Sequence, residues 1–394
     1  MVPRLIATLL GAACAAAAAA DFDARLDAAW RHYPEAPADP VQHSDPWSIE
    51  ARASWRGGGE RRWALSAVLS WDRAGSALWA DLPEAHWQIG GRRWWLRMGS
   101  DTVFWGVTES RHLVDIVNQI DTRRDLYGNV RLGQPMLRWR GIGRRDTVDL
   151  LLLPYFRERR WPEPEGGLRP QPAVDGGAAR FEADEGRRHL DLALRWRRNV
   201  GALDWALSAF RGTAREPVLN LAPDGRRLLP YYPQIRQLGL ELQYTRGAWL
   251  WKLEALERHG AFDRDGRRRP YRAAVAGFEY TVFSALGDAD LGLLLERLWD
   301  ERGDAAADPF QDDWFVALRW IGNDLDDQNA LPGLVYDRNS GERAWRLDWR
   351  RRLGDRWTVH VEGAAFRRVA PDGPLGWLRR DDHIGFALQR HFGG

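Results

Sequence analysis

Apolar and polar residues alternate with a period of two through most of the chain. In "RWALSAVLSWD", one face carries Trp63, Leu65, Ala67, Leu69 and Trp71, and the other carries Ala64, Ser66, Val68 and Ser70. The same alternation recurs in "HLDLALRWRRN" (189–199), "DWFVALRW" (313–320), "AWRLDWRRR" (344–352) and "RWTVHVEGA" (356–364). Because successive side chains of a β-strand point to opposite faces, the pattern predicts an all-β protein.

A soluble β-sandwich and a transmembrane β-barrel share this alternation, and three features favour the barrel. The polar face carries both signs of charge, as a wet lumen allows. Trp63 and Trp71 are about 26 Å apart along a strand. A tilt of about 40° reduces this to about 20 Å, close to the apolar band of about 25 Å between aromatic girdles. Short turns also alternate with long polar loops near 107–133, 155–187, 212–234, 260–270, 300–311, 323–342 and 369–380.

The chain is therefore predicted to form an antiparallel transmembrane β-barrel of about 14 to 16 strands, with long extracellular loops and one polar loop folded inward. The barrel is expected over 47–394, preceded by an extended periplasmic segment over 21–46. Pro83 interrupts the third predicted strand, and the fifth, over 134–141, is short.

Residues 1–20, "MVPRLIATLLGAACAAAAAA", are predicted to be a secretory signal peptide, because one cation precedes an apolar run and small residues. A retained membrane anchor is the alternative, but the run is short and rich in alanine. Cys14 is the only cysteine and raises a lipoprotein alternative, although Gly11 stands where a bulky aliphatic residue is normally required. No disulfide is expected after cleavage.

Composition excludes two classes of protein. The formal net charge is only +2, so no basic face indicates a nucleic-acid partner. The longest apolar run after residue 20, "LLLLPYF" at 150–156, is far shorter than the roughly 20 residues of a membrane-spanning helix. The chain has 23 Trp despite a mean hydropathy of −0.51. That combination fits a barrel whose apolar face contacts lipid.

One stretch, "VTESRHLVDIVNQIDTRRDLYGNVRLG" (107–133), loses the alternation and collects polar side chains: Glu109, Arg111, His112, Asp115, Asn118, Gln119 and Asp121. Leu113, Ile116, Val117 and Ile120 recur at helical spacing, and Ser110 is placed to cap a short helix. A connection of about 27 residues is long for a compact fold. We predict that it folds into the lumen as a plug or constriction. A packed surface loop without a role in transport is the alternative.

Several charged residues are expected to line the lumen. They are Asp191, Arg195, Arg197, Lys252, Glu254, Arg319, Arg346, Asp348, Arg350, His360 and Glu362. Cations slightly outnumber carboxylates in this set. Because rings of charge set pore selectivity, the set mildly favours anionic solutes.

Two kinds of chemistry are weaker alternatives. His112 lies near Ser110 and Asp115, and His360 lies beside Glu362, so an outer-membrane enzyme of the lipase or protease type stays open. The acidic stretches "DRDG" (263–266) and "NDLDDQN" (323–329) contain oxygen ligands suited to Ca²⁺ at an extracellular loop, but neither has EF-hand spacing. The leading interpretation requires no catalytic residue, metal or cofactor.

The strand "WWLRMGSDTVFWG" and the following "VTESRHLVDIVNQID" and "LGQPML" resemble a group of uncharacterised proteobacterial outer-membrane, porin-like proteins. The resemblance is strongest over residues 99–137. It implies a β-barrel in the outer membrane of a Gram-negative bacterium, and it carries no assigned activity.

The sequence thus predicts an outer-membrane channel for passive diffusion of small polar or anionic solutes. The alternatives are a barrel enzyme, a closed barrel with a structural or assembly role, and a secreted β-sandwich. Expected partners are outer-membrane lipid and lipopolysaccharide, a small solute, and the barrel assembly machinery, which reads a C-terminal strand such as "HIGFALQRHF" ending at Phe392. A monomer and a trimer are both compatible with the sequence.

Overall fold

The structure is a computed structural model that describes residues 21–42, 46–59, 61–73, 77–125 and 128–393. The predicted signal peptide, residues 1–20, lies outside the described residues. Within them, no helix is both long and apolar enough to cross a membrane.

Strands account for most of the chain. The strands of the first half are β1 (Asp21–His32), β2 (Trp47–Gly57), β3 (Arg61–Asp72), β4 (Ala77–Gly90), β5 (Trp94–Asp101), β6 (Gln134–Ile142), β7 (Asp146–Leu153), β8 (Arg180–Phe181), β9 (Asp191–Val200) and β10 (Leu203–Thr213). Those of the second half are β11 (Val218–Leu221), β12 (Leu228–Tyr232), β13 (Gln234–Arg246), β14 (Trp249–His259), β15 (Tyr271–Leu286), β16 (Ala289–Asp300), β17 (Asp312–Ile321), β18 (Asn329–Ala330), β19 (Gly333–Asp337), β20 (Arg343–Leu353), β21 (Trp357–Arg367) and β22 (His383–Phe392).

All strands except β8, β11 and β12 belong to one antiparallel sheet, and that sheet closes on itself. Closure depends on β1, which pairs with β2 on one side and with β22 on the other. β18 and β19 both pair with β17 and β20 and are separated only by Leu331 and Pro332. They form one interrupted strand, because proline cannot donate a ladder hydrogen bond. The barrel therefore has 18 strands.

The predicted fold class, an antiparallel β-barrel, is confirmed. Two details of the sequence prediction are corrected. The segment 21–46 is not an extended leader, because its first part is barrel strand β1. The predicted loop 323–342 contains the interrupted strand β18–β19. The sequence predicted 14 to 16 strands. With these two additions the barrel has 18 strands.

Pro83 marks a real irregularity in β4. The pairing of β3 with β4 shifts register between Ser66 and Val68, which face Glu84 and Asp81. Leu82 and Pro83 therefore lie opposite a single residue of β3, as in a β-bulge.

The two ends of the barrel differ in their connections. At the turn end, strands are joined by short segments such as 91–93, 143–145, 201–202, 247–248, 287–288 and 354–356. At the loop end lie the longer connections 102–133, 154–190, 214–233, 260–270, 301–311 and 368–382, and the second and third of these contain the short strands β8, β11 and β12. Asp21 and Phe392 are both at the turn end. The acidic loop 322–328 is at the turn end as well, although the sequence analysis grouped it with the long loops.

The wall is apolar outside and polar inside. In β3, Trp63 and Leu65 face outward and are exposed, whereas Ser66 and Ser70 face inward and are buried. Exposed tryptophans form two outer belts. Trp47, Trp299, Trp314 and Trp345 lie towards the loop end, and Trp63, Trp87, Trp94, Trp139, Trp249 and Trp357 lie towards the turn end. Two such belts are typical of transmembrane barrels.

Part of the loop end is covered by a small second sheet. β12 pairs with β11 antiparallel and with β8 parallel. Phe156, Phe181 and Tyr232 pack together beneath it, with ring centroids 4.8 to 5.7 Å apart. A second cluster joins Tyr33, Leu168, Phe366 and Leu378 from separate parts of the chain. These long loops are therefore packed structures.

Candidate functional site

Residues 102–133, between β5 and β6, form a loop that lies inside the barrel, and we call it the inner loop. Its described residues, 102–125 and 128–133, form turns and bends but no helix. The Asn118 side chain accepts the Val103 N–H at 2.8 Å and donates to the carbonyls of Asp101 and Leu132 at 2.9 and 2.8 Å. The predicted short helix is therefore wrong, since polar side chains here bond to the main chain and compete with helical hydrogen bonds.

The inner loop packs its apolar side chains against one part of the wall. Val103, Trp105, Val114, Ile116 and Val117 are almost fully buried. They contact an apolar patch on β6, β7, β10 and β13, formed by Met136, Leu151, Leu153, Phe210 and Ile235. Apolar side chains thus fill the lumen between the loop and this wall, which fixes the loop on that side.

Three glutamates of the wall bind main-chain N–H groups of the inner loop. They are Glu241 on β13, Glu254 on β14 and Glu296 on β16, and their relative exposures are 2%, 0% and 1%. We call them the anchor glutamates. A buried carboxylate is costly unless hydrogen bonds compensate its lost hydration. Here the inner loop supplies them.

Glu254 is the central anchor. Its Oε1 accepts the N–H groups of Val107 and Thr108 at 2.7 and 2.9 Å, and its Oε2 accepts the Val114 N–H at 3.2 Å. The Thr108 hydroxyl also lies 2.6 Å from Oε1. One carboxylate therefore holds two separate turns of the inner loop.

The other two anchors hold the residues on either side. Glu296 accepts the N–H groups of Glu109 and Ser110, both at 2.8 Å, and the Ser110 hydroxyl at 2.5 Å. Glu241 accepts the Gly106 N–H at 3.3 Å and pairs with Arg195 at 2.5 Å. Hydrogen bonds to a charged acceptor are about twice as strong as neutral ones.

Gly106 is required where the chain enters this site. Its φ is +136°, a backbone conformation that other residues rarely adopt. A Cβ at this position would lie 2.8 Å from Oε1 of Glu254 and 3.3 Å from the His112 side chain. The Trp-Gly step thus lets the backbone approach the central anchor.

Charged side chains connect the inner loop to further parts of the wall. Glu109 pairs with Arg319 of β17 at 2.6 Å, and Arg319 also binds Glu279 of β15 at 3.0 Å. Lys252 lies 4.0 Å from Glu109 and 3.8 Å from Glu279. On the other side of the lumen, Arg124 pairs with Glu50 of β2. The inner loop therefore reaches both walls.

At the loop end, Arg111 joins the inner loop to two other loops. It pairs with Glu216 at 2.7 Å and with Asp308. Burial acts to raise the pKa of Glu216, but the guanidinium groups of Arg111, Arg258 and Arg159 outweigh it and hold that pKa well below its usual range. Burial raises the pKa of Asp308 above its usual value, against the opposing effect of Arg111.

The remaining inner-loop candidates are held within the loop or beside it. Asp115 pairs with Arg131 at 2.6 Å, and Asp121 pairs with Arg123 at 2.7 Å. The Gln119 side chain donates to the Arg215 carbonyl at 2.9 Å. These polar groups therefore stabilise the shape of the loop.

The predicted lumen residues all face inward, in two groups. Arg195, Lys252, Glu254 and Arg319 contact or surround the inner loop, and Asp191 binds Arg215 at 2.7 Å near the loop end.

A second group lies on β20 and β21 with β1. There, His360 lies 3.0 Å and Arg346 4.0 Å from Asp348, while Glu362 pairs with Arg31 at 2.5 Å. Arg350 pairs with Asp327 of the turn-end loop at 3.4 Å, and Arg197 is exposed on β9.

Sequence reasoning missed Glu241 and Glu296, although a signal was present. Each is a single carboxylate on the inward face of a mostly apolar strand, in "QLGLELQ" and "LGLLLERL". Arg31 and Glu50 were missed because β1 was expected to be a leader and the inner loop had no assigned partner.

The contacts do not assemble the catalytic alternatives. The Ser110 hydroxyl donates to Glu296, and Asp115 accepts from Arg131. His112 Nδ1 lies 3.9 Å from Glu254, so Ser110, His112 and Asp115 form no triad. His360 binds Asp348 across the strand pair.

The acidic stretches bind arginines and main-chain groups. Asp326 pairs with Arg351 at 2.6 Å, and Asp263 accepts the Arg267 N–H at 2.8 Å. Over the ranges that the structure describes, no group of three or more His, Cys, Asp or Glu side chains is arranged to hold a metal ion.

No family model and no curated protein matches the chain. Solved structures do match it. Pseudomonas aeruginosa OccK2 (OpdF) has 12% identity and a TM-score of 0.58, covering 95% of this chain and 97% of its own. Pseudomonas aeruginosa OpdQ has 12% identity and a TM-score of 0.53, with 95% and 98% coverage.

Wzi of Escherichia coli, described as a carbohydrate-binding β-barrel of the outer membrane involved in group 1 capsule assembly, has 11% identity and a TM-score of 0.54. That match covers 99% of this chain and 88% of Wzi. At these identities the likeness concerns the fold, and it shows that the chain has the fold of outer-membrane porin-type β-barrels.

Proposed function

We propose that the protein is a channel of the bacterial outer membrane whose lumen is constricted by the inner loop, and that it admits small polar or anionic solutes by passive diffusion. The observation that carries the proposal is the attachment of the inner loop by three buried anchor glutamates. Barrels of 16 to 18 strands leave an aqueous channel unless something fills it. A loop fixed across that space sets the width of the path.

The alternative of a packed surface loop without a role in transport fits the contacts less well. Glu241, Glu254 and Glu296 are buried charged residues on the inner wall, and each accepts main-chain N–H groups of the inner loop. Each hydrogen bond to a charged group contributes about 1.5 to 3 kcal/mol net. Several such bonds, together with the Arg124–Glu50 pair on the far wall, hold the loop across the lumen.

The charges immediately around Arg52 of β2 favour anionic solutes. Arg25 and Arg52 face the lumen beside Arg124 of the inner loop, and the nearby carboxylates are Asp27 and Glu50. Three guanidinium groups thus face two carboxylates. Nε of Arg52 is buried without a hydrogen-bond partner among the described residues. Arg52 as a whole is only partly buried, and a guanidinium is a suitable partner for a passing carboxylate.

Two further observations agree with this proposal. OccK2, which shares the fold, has also been solved in complex with glucuronate, an organic anion. In this barrel Asp21, Phe392 and the short turns lie at one end, and short turns are typical of the periplasmic side of outer-membrane barrels. We accordingly place the long loops outside the cell, and we expect the barrel assembly machinery to recognise β22, which ends at Phe392.

Planar bilayer recordings test the proposal. Wild-type protein should give discrete conductance steps and, under a salt gradient, a reversal potential that indicates anion preference. Glu254→Gln combined with Glu296→Gln should free part of the inner loop, because an amide nitrogen cannot accept an N–H. We expect larger and noisier steps. Glu257→Gln, on the outward face of β14, is the matched control and should behave as wild type.

Silence of the wild type and of the anchor variant alike would contradict a channel. A closed barrel is the second candidate, favoured by the packed loops over the loop end. A closed barrel predicts a protein that gives no conductance in bilayers. Its heat-dependent mobility in gels should still be that of a folded barrel.

A further inference from the structure

The outer surface of the barrel carries a groove at the loop end of β7, β9, β10, β13 and β14. Its volume is about 970 Å³. Outward leucines line it, among them Leu150, Leu192, Leu194 and Leu238, which are 41% to 63% exposed. The groove faces away from the lumen, so the channel does not use it.

The groove lies where the outer aromatic belt is interrupted. In β9, β10, β13 and β14, which are described throughout, the outward aromatic residues are all near the turn end: Trp196, Trp205, Tyr244, Trp249 and Trp251. At the loop end the outward residues of these strands are Leu192, Ala209, Arg211, Arg236, Leu238, Glu257 and His259, none of them a Trp, Tyr or Phe. Arg236 precedes Tyr244 at the spacing that separates Trp63 from Trp71, so Arg236 occupies the level of the belt.

Two arginines stand directly opposite each other at this level. Arg211 of β10 pairs in register with Arg236 of β13, and His259 of β14 lies on the other side of Arg236. Both guanidinium groups face outward and are exposed. Neither has an ion pair or side-chain hydrogen bond with another described residue. Like charges opposite each other destabilise a strand pair unless an anion lies between them.

Nearby carboxylates are already engaged with other cations. Glu257 binds His259 and Arg272, both at 3.0 Å. Glu182 binds Arg268 at 2.6 Å. The rim of the groove therefore keeps an excess of positive charge, supplied by Arg211 and Arg236.

We propose that this groove binds lipopolysaccharide of the outer leaflet through its lipid A part, with acyl chains on the leucines and a phosphate between Arg211 and Arg236. The apolar groove and the cationic rim match the two halves of such a lipid, and Arg is the preferred partner of phosphate. The inference rests on the outer-membrane location proposed above, but it does not depend on an open lumen.

The first test measures lipopolysaccharide that remains with protein extracted from outer membranes in mild detergent. Arg211→Ser with Arg236→Ser should retain at least tenfold less than wild type. Arg198→Ser with Arg390→Ser is the matched control, because both arginines face outward at the turn end. The control should retain as much as wild type. Equal retention by all three proteins would overturn the proposal.

The second test uses refolded protein with purified bisphosphorylated lipid A and the same lipid after dephosphorylation. Wild type should bind the phosphorylated form at least tenfold more tightly, and the groove variant should bind both forms equally weakly. Equal binding of both forms by wild type would show that the leucines only contact bulk lipid, and would overturn the site. Conductance of the groove variant should match wild type, so failure of the channel proposal is seen separately.

Discussion

At the scale of single residues, the site depends on buried carboxylates whose partners are main-chain N–H groups. Glu254 alone accepts three such groups from the inner loop. The position of a main-chain N–H group is fixed by the conformation of the loop and not by the side chain of its residue. The backbone conformation at Gly106 is therefore as important for holding the inner loop as the Glu254 carboxylate itself.

Gly106→Ala is expected to loosen the inner loop. Alanine at this position would have to adopt a φ of +136°, and its Cβ would lie 2.8 Å from the Glu254 carboxylate. Backbone strain of this kind costs about 1 to 3 kcal/mol. Hydrogen exchange of the amides of Val107 and Thr108 should accelerate by about tenfold or more. Gly59→Ala, where a Cβ has open space, is the control, and equal exchange in both variants would contradict the role of Gly106.

Arg52→Gln is expected to reduce anion preference. The substitution removes a lumen cation whose Nε has no hydrogen-bond partner among the described residues. The reversal potential under a salt gradient should move towards zero. Arg198→Gln makes the same charge change on the outer surface and should leave the potential unaltered. A shift of equal size in both variants would count against the path along β1 and β2.

The packed loops at the loop end should weaken as pH rises through about 6. Burial raises the pKa of Asp381 to about 6, and Oδ2 of this residue is buried without a hydrogen-bond partner. The group binds a proton more tightly in the packed state than in the unpacked one. Its stabilising effect is therefore complete below about pH 3.9, the pKa of an ordinary Asp, and is lost as pH rises through the folded value.

Asp381→Asn should remove this dependence, because the amide stays neutral at every pH. We expect proteolysis of the wild-type loop 154–179 to accelerate between pH 5 and pH 7 by about tenfold or more, since one pKa unit corresponds to about 1.36 kcal/mol. The variant should be cleaved at one rate throughout. A wild-type rate that is flat over the same range would contradict the buried acid.

At the scale of elements, alternation predicted most of the wall because outward and inward residues differ so strongly in polarity. It missed β1, whose outward face includes Ala24 and Ala28 beside Phe22, Leu26 and Trp30, so the apolar signal is diluted. It missed β18–β19 because Pro332 interrupts the strand within a polar stretch. In both places closure of the sheet decides the structure, and closure depends on pairing between distant segments.

Removal of β1 should prevent the barrel from closing. A chain that begins at Asp21 should refold in detergent and migrate as a compact, heat-modifiable species. A chain that begins at Tyr33 should not, because β2 and β22 would each lose a neighbour and expose an unpaired edge. Normal refolding of the shorter chain would show that 21–32 is the leader that its sequence suggested.

In the candidate site, too, contacts between distant segments decide the structure, here that of the inner loop. Its polar composition and length predicted an inward fold, and Glu254 was predicted to face the lumen. The helix predicted from Leu113, Ile116 and Val117 does not form, because these residues pack against the surrounding wall. Which wall residues receive the loop depends on the position of β5 opposite β13 to β16 in the closed barrel, and local spacing does not contain that information.

In the molecule as a whole, the closed wall surrounds the inner loop, and packed loops cover part of the loop end. The wall provides the membrane-spanning shell, and the inner loop divides its interior between an apolar filled side and a charged side along β1 and β2. Charged groups of both signs, including Arg31, Arg52 and Glu362, lie on that side and are only partly buried. We infer that this remaining path conducts and that the inner loop sets its width.

Single-channel conductance of the wild type beside a variant lacking residues 108–130 tests that claim most directly. The wild type should give small, discrete steps with anion preference. The deletion should give steps several times larger with weaker selectivity, because it removes the constriction together with Glu109, Arg111 and Arg124. Equal conductance in the two proteins would contradict the account, since the inner loop would then lie outside the conducting path.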